Sequence, residues 1–187
     1  MDVYGIALVL PDKIGKELEK LRNGFGKYMY YIPIPHITLI HPFIPKVSLK
    51  LISDRLSQIA ERTKPFRLSL SGIEYSEHIK NKTQMKAHIT IITKQPIIDL
   101  YHAINSFIIG PLKDSQGNLI LDSYSPELII GQNIPDDVFP KIKKKLSKET
   151  AKFEVEVSTL GLFIRNPEFA TNQGAEWTLV EEFQLTG

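Results

Sequence analysis

The sequence predicts an α+β domain of two lobes that repeat one plan, strand, helix, strand, helix, strand, and that face each other across a central cleft. Three observations predict it. At 187 residues and 42% hydrophobic content the chain can fill one sizeable domain, or two small lobes that share a cleft. Strand-like apolar runs alternate with stretches of helical spacing. The order of these segments in the first half recurs in the second, with a short strand entered through a proline at the same place in each. Lobes of this kind present unpaired concave faces, and a ligand site is most expected where they meet.

Val3 to Leu10 is an apolar run of strand length and reads as a buried strand. Pro11-Asp12 turns the chain into a helix through about Leu21, which Gly24 and Gly26 end. A loop rich in tyrosine and proline, Tyr28 to Pro35, leads into a short strand, His36 to Ile40, and a turn around Pro42 and Pro45. Leu49, Ile52, Leu56 and Ile59 recur at helical spacing and predict a helix from Ser48 to about Arg62. Phe66 to Gly72 alternates apolar and polar residues, the pattern of a half-buried strand.

The polar stretch Ser76 to Gln84 is the expected boundary between the lobes of a single bilobal domain, 1–187. Lobe one then covers about 1–76 and lobe two about 84–187, with the C-terminal strands able to cross between them. In the second half Ala87 to Thr93 reads as a strand and Pro96 to about Phe107 as a helix. Gly110 to Asn118 follows as a loop with turn chemistry at Gln116-Gly117-Asn118. A strand at Leu128 to Ile130 precedes Asp136-Asp137, acidic residues that suit the start of a helix running to about Leu146. Phe153 to Ile164 and Trp177 to Leu185 are the closing strands.

Composition excludes several classes of function. The absence of cysteine removes disulfides, thiolate metal sites and cysteine nucleophiles. The first residues lack the basic and long apolar regions of a secretory signal, and no apolar run approaches the roughly 20 residues that span a bilayer; a cytoplasmic location and no membrane partner are expected. A net charge of +2 is too mild to imply nucleic-acid binding by electrostatics alone. Glycine-rich phosphate loops and a serine elbow are absent.

Residues two apart on a strand share a face, so His36 and Thr38 look to one side while Ile37 and Leu39 look into the core. Histidine titrates near neutrality and can take or give the proton of a hydroxyl, and threonine can donate a hydrogen bond to a phosphate oxygen. Two such pairs face to face would supply a base, an acid and two phosphate anchors without a metal. His36 and His41 fall on opposite faces, so no metal or other cofactor is expected. A second string, Ala87-His88-Ile89-Thr90-Ile91, mimics the motif but occupies the first strand of its lobe; it is either a coincidence of alternation or a strand that lines the cleft. Tyr28, Tyr30 and Tyr31 precede the first motif and either stack on a base or pack between lobes. Lys141, Lys143, Lys144 and Lys145 read as a solvated helix face, and His41, His78 and His102 as surface or turn residues.

Pro35-His36-Ile37-Thr38-Leu39, with its outline repeated from Pro126 to Gly131, resembles the two-histidine phosphoesterase superfamily, the 2′-5′ RNA ligase and cyclic phosphodiesterase group. Gly131-Gln132-Asn133 with Asp136-Asp137, and Trp177 to Leu185, look most like its YjcG-like bacterial branch. The resemblance implies a duplicated fold with two mainly antiparallel sheets and a His-x-Thr or His-x-Ser pair in each lobe. It also implies metal-independent chemistry on a 2′,3′-cyclic phosphate or a 2′-5′ linkage, with a nucleotide or an RNA end bearing a cyclic phosphate as partner. His36 would be the base or acid, Thr38 the phosphate donor, and Tyr31 a substrate contact. Where the family carries its second histidine and threonine this chain has Glu127 and Ile129. Isoleucine donates no hydrogen bond, and a glutamate with an ordinary pKa of about 4.3 is anionic at neutral pH unless burial or a phosphate raises it. His88 and Thr90 are the residues that could supply what the second motif lacks. The alternative is a catalytically inactive protein on the same fold that binds a nucleotide or RNA end, or an interaction module with a vestigial cleft.

Overall fold

The computed structural model describes residues 2–29, 34–78, 81–107, 124–171 and 174–187. In chain order the elements are β1 (Val3–Val9), α1 (Asp12–Asn23), a 3-10 turn (Gly26–Tyr28), β2 (His36–Phe43), α2 (Leu49–Arg62), β3 (Phe66–His78) and β4 (Asn81–Ile91). They continue with α3 (Gln95–Phe107), β5 (Leu128–Pro135), α4 (Phe139–Leu146), β6 (Lys152–Val157), β7 (Thr159–Thr171) and β8 (Gly174–Gln184). The fold is α+β. Its strands form two antiparallel sheets, ordered β2-β1-β7-β8 and β5-β4-β3-β6.

Each helix forms because an apolar stripe has a sheet to cover. Ile14, Leu18 and Leu21 of α1, Ile52, Leu56 and Ile59 of α2, Ile97, Leu100 and Ile104 of α3, and Ile142 and Leu146 of α4 are all buried, at the spacing of one helix face. Ser48 starts α2 by accepting a hydrogen bond from the Leu51 amide, one of the donors that a helix N-terminus otherwise leaves unmet. On the strands, Ile37 and Leu39 of β2 and Ala87, Ile89 and Ile91 of β4 join the core. Alternation sends His36, Thr38, Lys86, His88 and Thr90 to the opposite faces.

The structure corrects the sequence expectation in four places. Ser76 to Gln84 is not a polar loop: β3 runs to His78 and β4 starts at Asn81, paired as a hairpin. A hairpin whose strands carry polar residues reads as a loop in the sequence alone. Phe153 to Ile164 is two strands that separate at Ser158, β6 closing the second sheet and β7 entering the first; the change of alternation phase at Ser158-Thr159 is a single residue's slip, easily read as part of one strand. β2 continues through Pro42 to Phe43, which an edge strand allows because proline's missing donor then faces away from the ladder. Asp136 and Asp137 lie in the turn before α4, not in its first turn. Pro140 stands at the start of α4 instead, where its missing N–H costs no hydrogen bond. The loop expected at Gly110 to Asn118 lies outside the described residues, as do the side chains of His41 and His78.

The halves come into close contact beside the cleft. Met29 forms a β-bridge with Gly131, and a Cβ on Gly131 would lie 2.6 Å from the ring of the buried Phe25. The expected result for Gly131→Ala is overpacking, with a loss of about 1–3 kcal/mol of unfolding free energy, read by urea denaturation. An unchanged midpoint would show that the Phe25 ring yields at no cost.

Candidate functional site

On the first sheet, β1 is central and faces the cleft with its smallest residues. Ala7 is paired with Thr38 of β2 and Gly5 with Phe163 of β7, and the space these two small residues leave opens into a cavity of about 130 Å3. His36, Thr38, Ile40, Phe163 and Trp177 line it from the first sheet, and Ile129 from the second. The sequence-predicted pair His36 and Thr38 is thus brought together, with Ile129 across from it.

The local backbone sets the chemistry of His36. Its Nδ1 is 2.9 Å from the Ile34 carbonyl oxygen. A carbonyl only accepts, so in the neutral ring Nδ1 carries the proton and Nε2 is the basic nitrogen. The imidazole packs against Phe163, ring centroids 5.4 Å apart. Burial pushes its pKa below the ordinary 6.5; the Ile34 hydrogen bond opposes this, and the nearby Arg22 guanidinium reinforces it. His36 is therefore a neutral imidazole at neutral pH. Thr38 is fixed from behind, where the Tyr124 hydroxyl donates to its carbonyl oxygen at 2.8 Å. Tyr124 itself stacks on Tyr101 at 4.2 Å. Burial, then Tyr101 and Glu127, push the Tyr124 phenol up, so it stays protonated and keeps donating.

The second sheet offers a different wall. Glu127 does not stand alone: both its oxygens lie against the Lys86 ammonium, at 2.7 and 2.6 Å, with the side chains only 27% and 12% exposed. His88 is paired across the ladder with Ile129 on one side and Glu74 on the other. Its Nε2 is 3.5 Å from a Glu74 carboxylate oxygen, and its buried Nδ1 has no hydrogen-bond partner among the described residues. Thr90 is half-buried on the same strand. Tyr31 lies outside the described residues. Among the described residues no three His, Cys, Asp or Glu side chains are placed to hold a metal, and no helix is long and apolar enough to cross a membrane.

Sequence reasoning missed Lys86, Glu74 and Tyr124. Lys86 carried a usable signal, since it stands two residues before His88 and shares its face. Tyr124 carried none, because its partner Thr38 is brought near only by the meeting of the lobes.

The family model described as the 2′-5′ RNA ligase superfamily matches residues 10–168, and the chain belongs to that superfamily. Solved structures share its fold. TT0787 of Thermus thermophilus is similar at a TM-score of 0.67 and 16% identity, over 100% of this chain and 99% of that one. E. coli LigT complexed with 3′-AMP gives a TM-score of 0.64 at 14% identity, over 100% and 98%. LigT complexed with NADP+ gives 0.62 at 14%, over 100% and 98%. No curated protein matches the chain in sequence.

Two outcomes are expected of these geometries. Because the folded pKa of His36 lies below the unfolded value, the unfolded chain binds more protons in between. His36 therefore costs no stability above pH 6.5 and progressively more as pH falls through 6.5 toward the lowered value. Denaturation curves across that window should show this slope in the wild type and lose it in His36→Gln. Glu127→Ala strands the Lys86 ammonium and should cost about 1–3 kcal/mol. The double variant Lys86→Met/Glu127→Leu should recover most of that, and equal stability of all three proteins would show that the ion pair is solvated.

Proposed function

We propose that the chain is a metal-independent phosphoesterase acting on a 2′,3′-cyclic phosphate or a 2′-5′ linkage at a nucleotide or RNA end, and that it works with one intact motif. The observation that carries this reading is the cavity in which His36, neutral and basic at Nε2, stands beside Thr38. A water placed there loses its proton to Nε2 as its oxygen bonds to phosphorus, while the Thr38 hydroxyl donates to a non-bridging oxygen. The P–O bond to one ribose oxygen breaks, and that oxygen takes up a proton. Phe163 and Trp177 offer aromatic faces to a base, and the nucleotide complexes of LigT support a nucleotide ligand. His88, Thr90 and Tyr31 are assigned to substrate contact.

The second motif is degenerate in this reading, although the stretches that follow it still look most like the YjcG-like branch. Ile129 supplies no donor, and Glu127 is held by Lys86, so the proton for the leaving oxygen comes from the polar groups of that wall or from solvent. The cost falls on rate. The same observation favours a second reading, a nucleotide or RNA-end binding protein without turnover.

Hydrolysis of 2′,3′-cyclic nucleotides and of short RNAs ending in a cyclic phosphate, without added metal, separates the two. The expected result is slow turnover that falls by about 10² to 10⁴ in His36→Ala. Binding of 3′-phosphorylated nucleotides with no product from any substrate would put the binding protein in its place.

A further inference from the structure

We propose that Tyr124 is a positioning residue whose hydroxyl, reaching across from the second half of the chain, aims the Thr38 hydroxyl at the substrate phosphate; this rests on the reading of the His36 cavity as a phosphodiester site. Thr38 needs support because of where it stands. β2 is an edge strand, paired within its sheet to β1 alone, and an edge is held by a ladder on one side only. That ladder is also irregular. Its register shifts between Tyr4 and Ile6 and again between Ile6 and Ala7, immediately beside the Ala7–Thr38 pair, and such irregularities re-aim the side chains next to them.

The Tyr124 hydroxyl supplies the missing constraint at 2.8 Å from the Thr38 carbonyl oxygen. Residues 124–127 lead into β5 without belonging to a ladder, and side chains anchor both ends of this segment. At one end Tyr124 stacks on Tyr101 of α3, with centroids 4.2 Å apart and planes 13° from parallel, and Tyr101 is fully buried. At the other end Lys86 of β4 grips Glu127, and Pro126 is buried between them. The ring is thus held in place by contacts other than the hydrogen bond it makes, so that bond costs little further ordering. Burial, Tyr101 and Glu127 keep the phenol protonated, so the donor persists at any working pH.

The position of Thr38 matters because its task is not shared. Among the described residues that line the cavity it carries the one hydroxyl, and Ile129 faces it from the second sheet. A donor to a developing phosphate charge works within a narrow range, about 2.7–3.1 Å, and a displacement of about 1 Å can cost on the order of 10²-fold in rate. Tyr124 touches no reacting atom in this scheme and acts only through Thr38.

The test is Tyr124→Phe, which keeps the ring and its stack, made in the wild type and in the Thr38→Ala and Thr38→Ser backgrounds. Hydrolysis of 2′,3′-cyclic AMP gives kcat and KM, calorimetry gives the affinity for 3′-AMP, and urea denaturation gives the stability. In the wild type the substitution should lower kcat about ten- to a hundredfold, with smaller changes in KM and in the urea midpoint. In Thr38→Ala it should cost almost nothing more, because the group it positions is gone; Thr38→Ser, which restores a hydroxyl, should restore the effect. Tyr124→Leu reads the same cycle if the phenylalanine variant does not fold. Equal losses in every background, following the urea midpoint, would mark a merely structural contact and overturn the inference, as would an unchanged kcat in the wild-type background. If 3′-AMP binds but no variant turns over, the phosphoesterase reading alone fails, and the cycle is read on 3′-AMP affinity: coupling between residues 124 and 38 upholds the inference and additivity overturns it. Neither turnover nor 3′-AMP binding by the wild type overturns both.

Discussion

β1 and β7 are hydrogen-bonded along their common length, from Val3 opposite Arg165 to Val9 opposite Thr159, and the site depends on that pairing. Neither half of the repeat can complete a sheet. The first half supplies β1 and β2 to one sheet but sends β3 into the other, and the chain makes up the deficit only by crossing at Ser158 and returning as β7 and β8. The first sheet is therefore built from strands far apart in sequence, and the second from the consecutive strands β3 to β6. His36 and Thr38 gain an opposing wall from this arrangement, and Gly5, Ala7 and Phe163 are brought beside them by the same ladder.

The two walls are alike in backbone and unlike in chemistry. One presents a desolvated neutral imidazole and a hydroxyl in a small, largely apolar cavity. The other presents charge that is already compensated, Lys86 against Glu127, and an apolar residue, Ile129, where a donor would be most useful. Partly buried opposite charges hold each other in place and expose little net field, so the second wall shapes the cleft more than it polarises a ligand. Tyr124 carries order across the gap: its hydroxyl secures the backbone of Thr38, and the Tyr101 stack beneath it belongs to α3.

The sequence revealed what is local. Alternation in β2 placed His36 and Thr38 on one face and Ile37 and Leu39 in the core, and helical spacing in α2 and α3 set those helices within a residue or two. The duplicated plan and the cleft followed from the order of elements. Non-local facts were not legible. Ser158, between Val157 and Thr159, carries neither proline nor glycine to mark a break, yet the chain changes sheets there. The polar residues around the β3–β4 hairpin resemble a linker until a partner strand is known. At the site, the identity of Glu127 was plain, but its partner Lys86 is on a strand far away in sequence, and the tautomer of His36 depends on a carbonyl whose direction only the folded loop defines.

The pairing of β1 with β7 also orders events in time. β1 leaves the ribosome about 150 residues ahead of β7, so at about 5–20 residues per second it waits on the order of ten seconds or more for the residues that complete its ladder. During that interval its apolar face and one hydrogen-bonding edge are unsatisfied, the condition in which strands find the wrong partner. The cleft around His36 is then among the last features to be assembled, and a chain cut short before residue 159 retains the motif in its sequence while lacking the sheet that gives it a pocket.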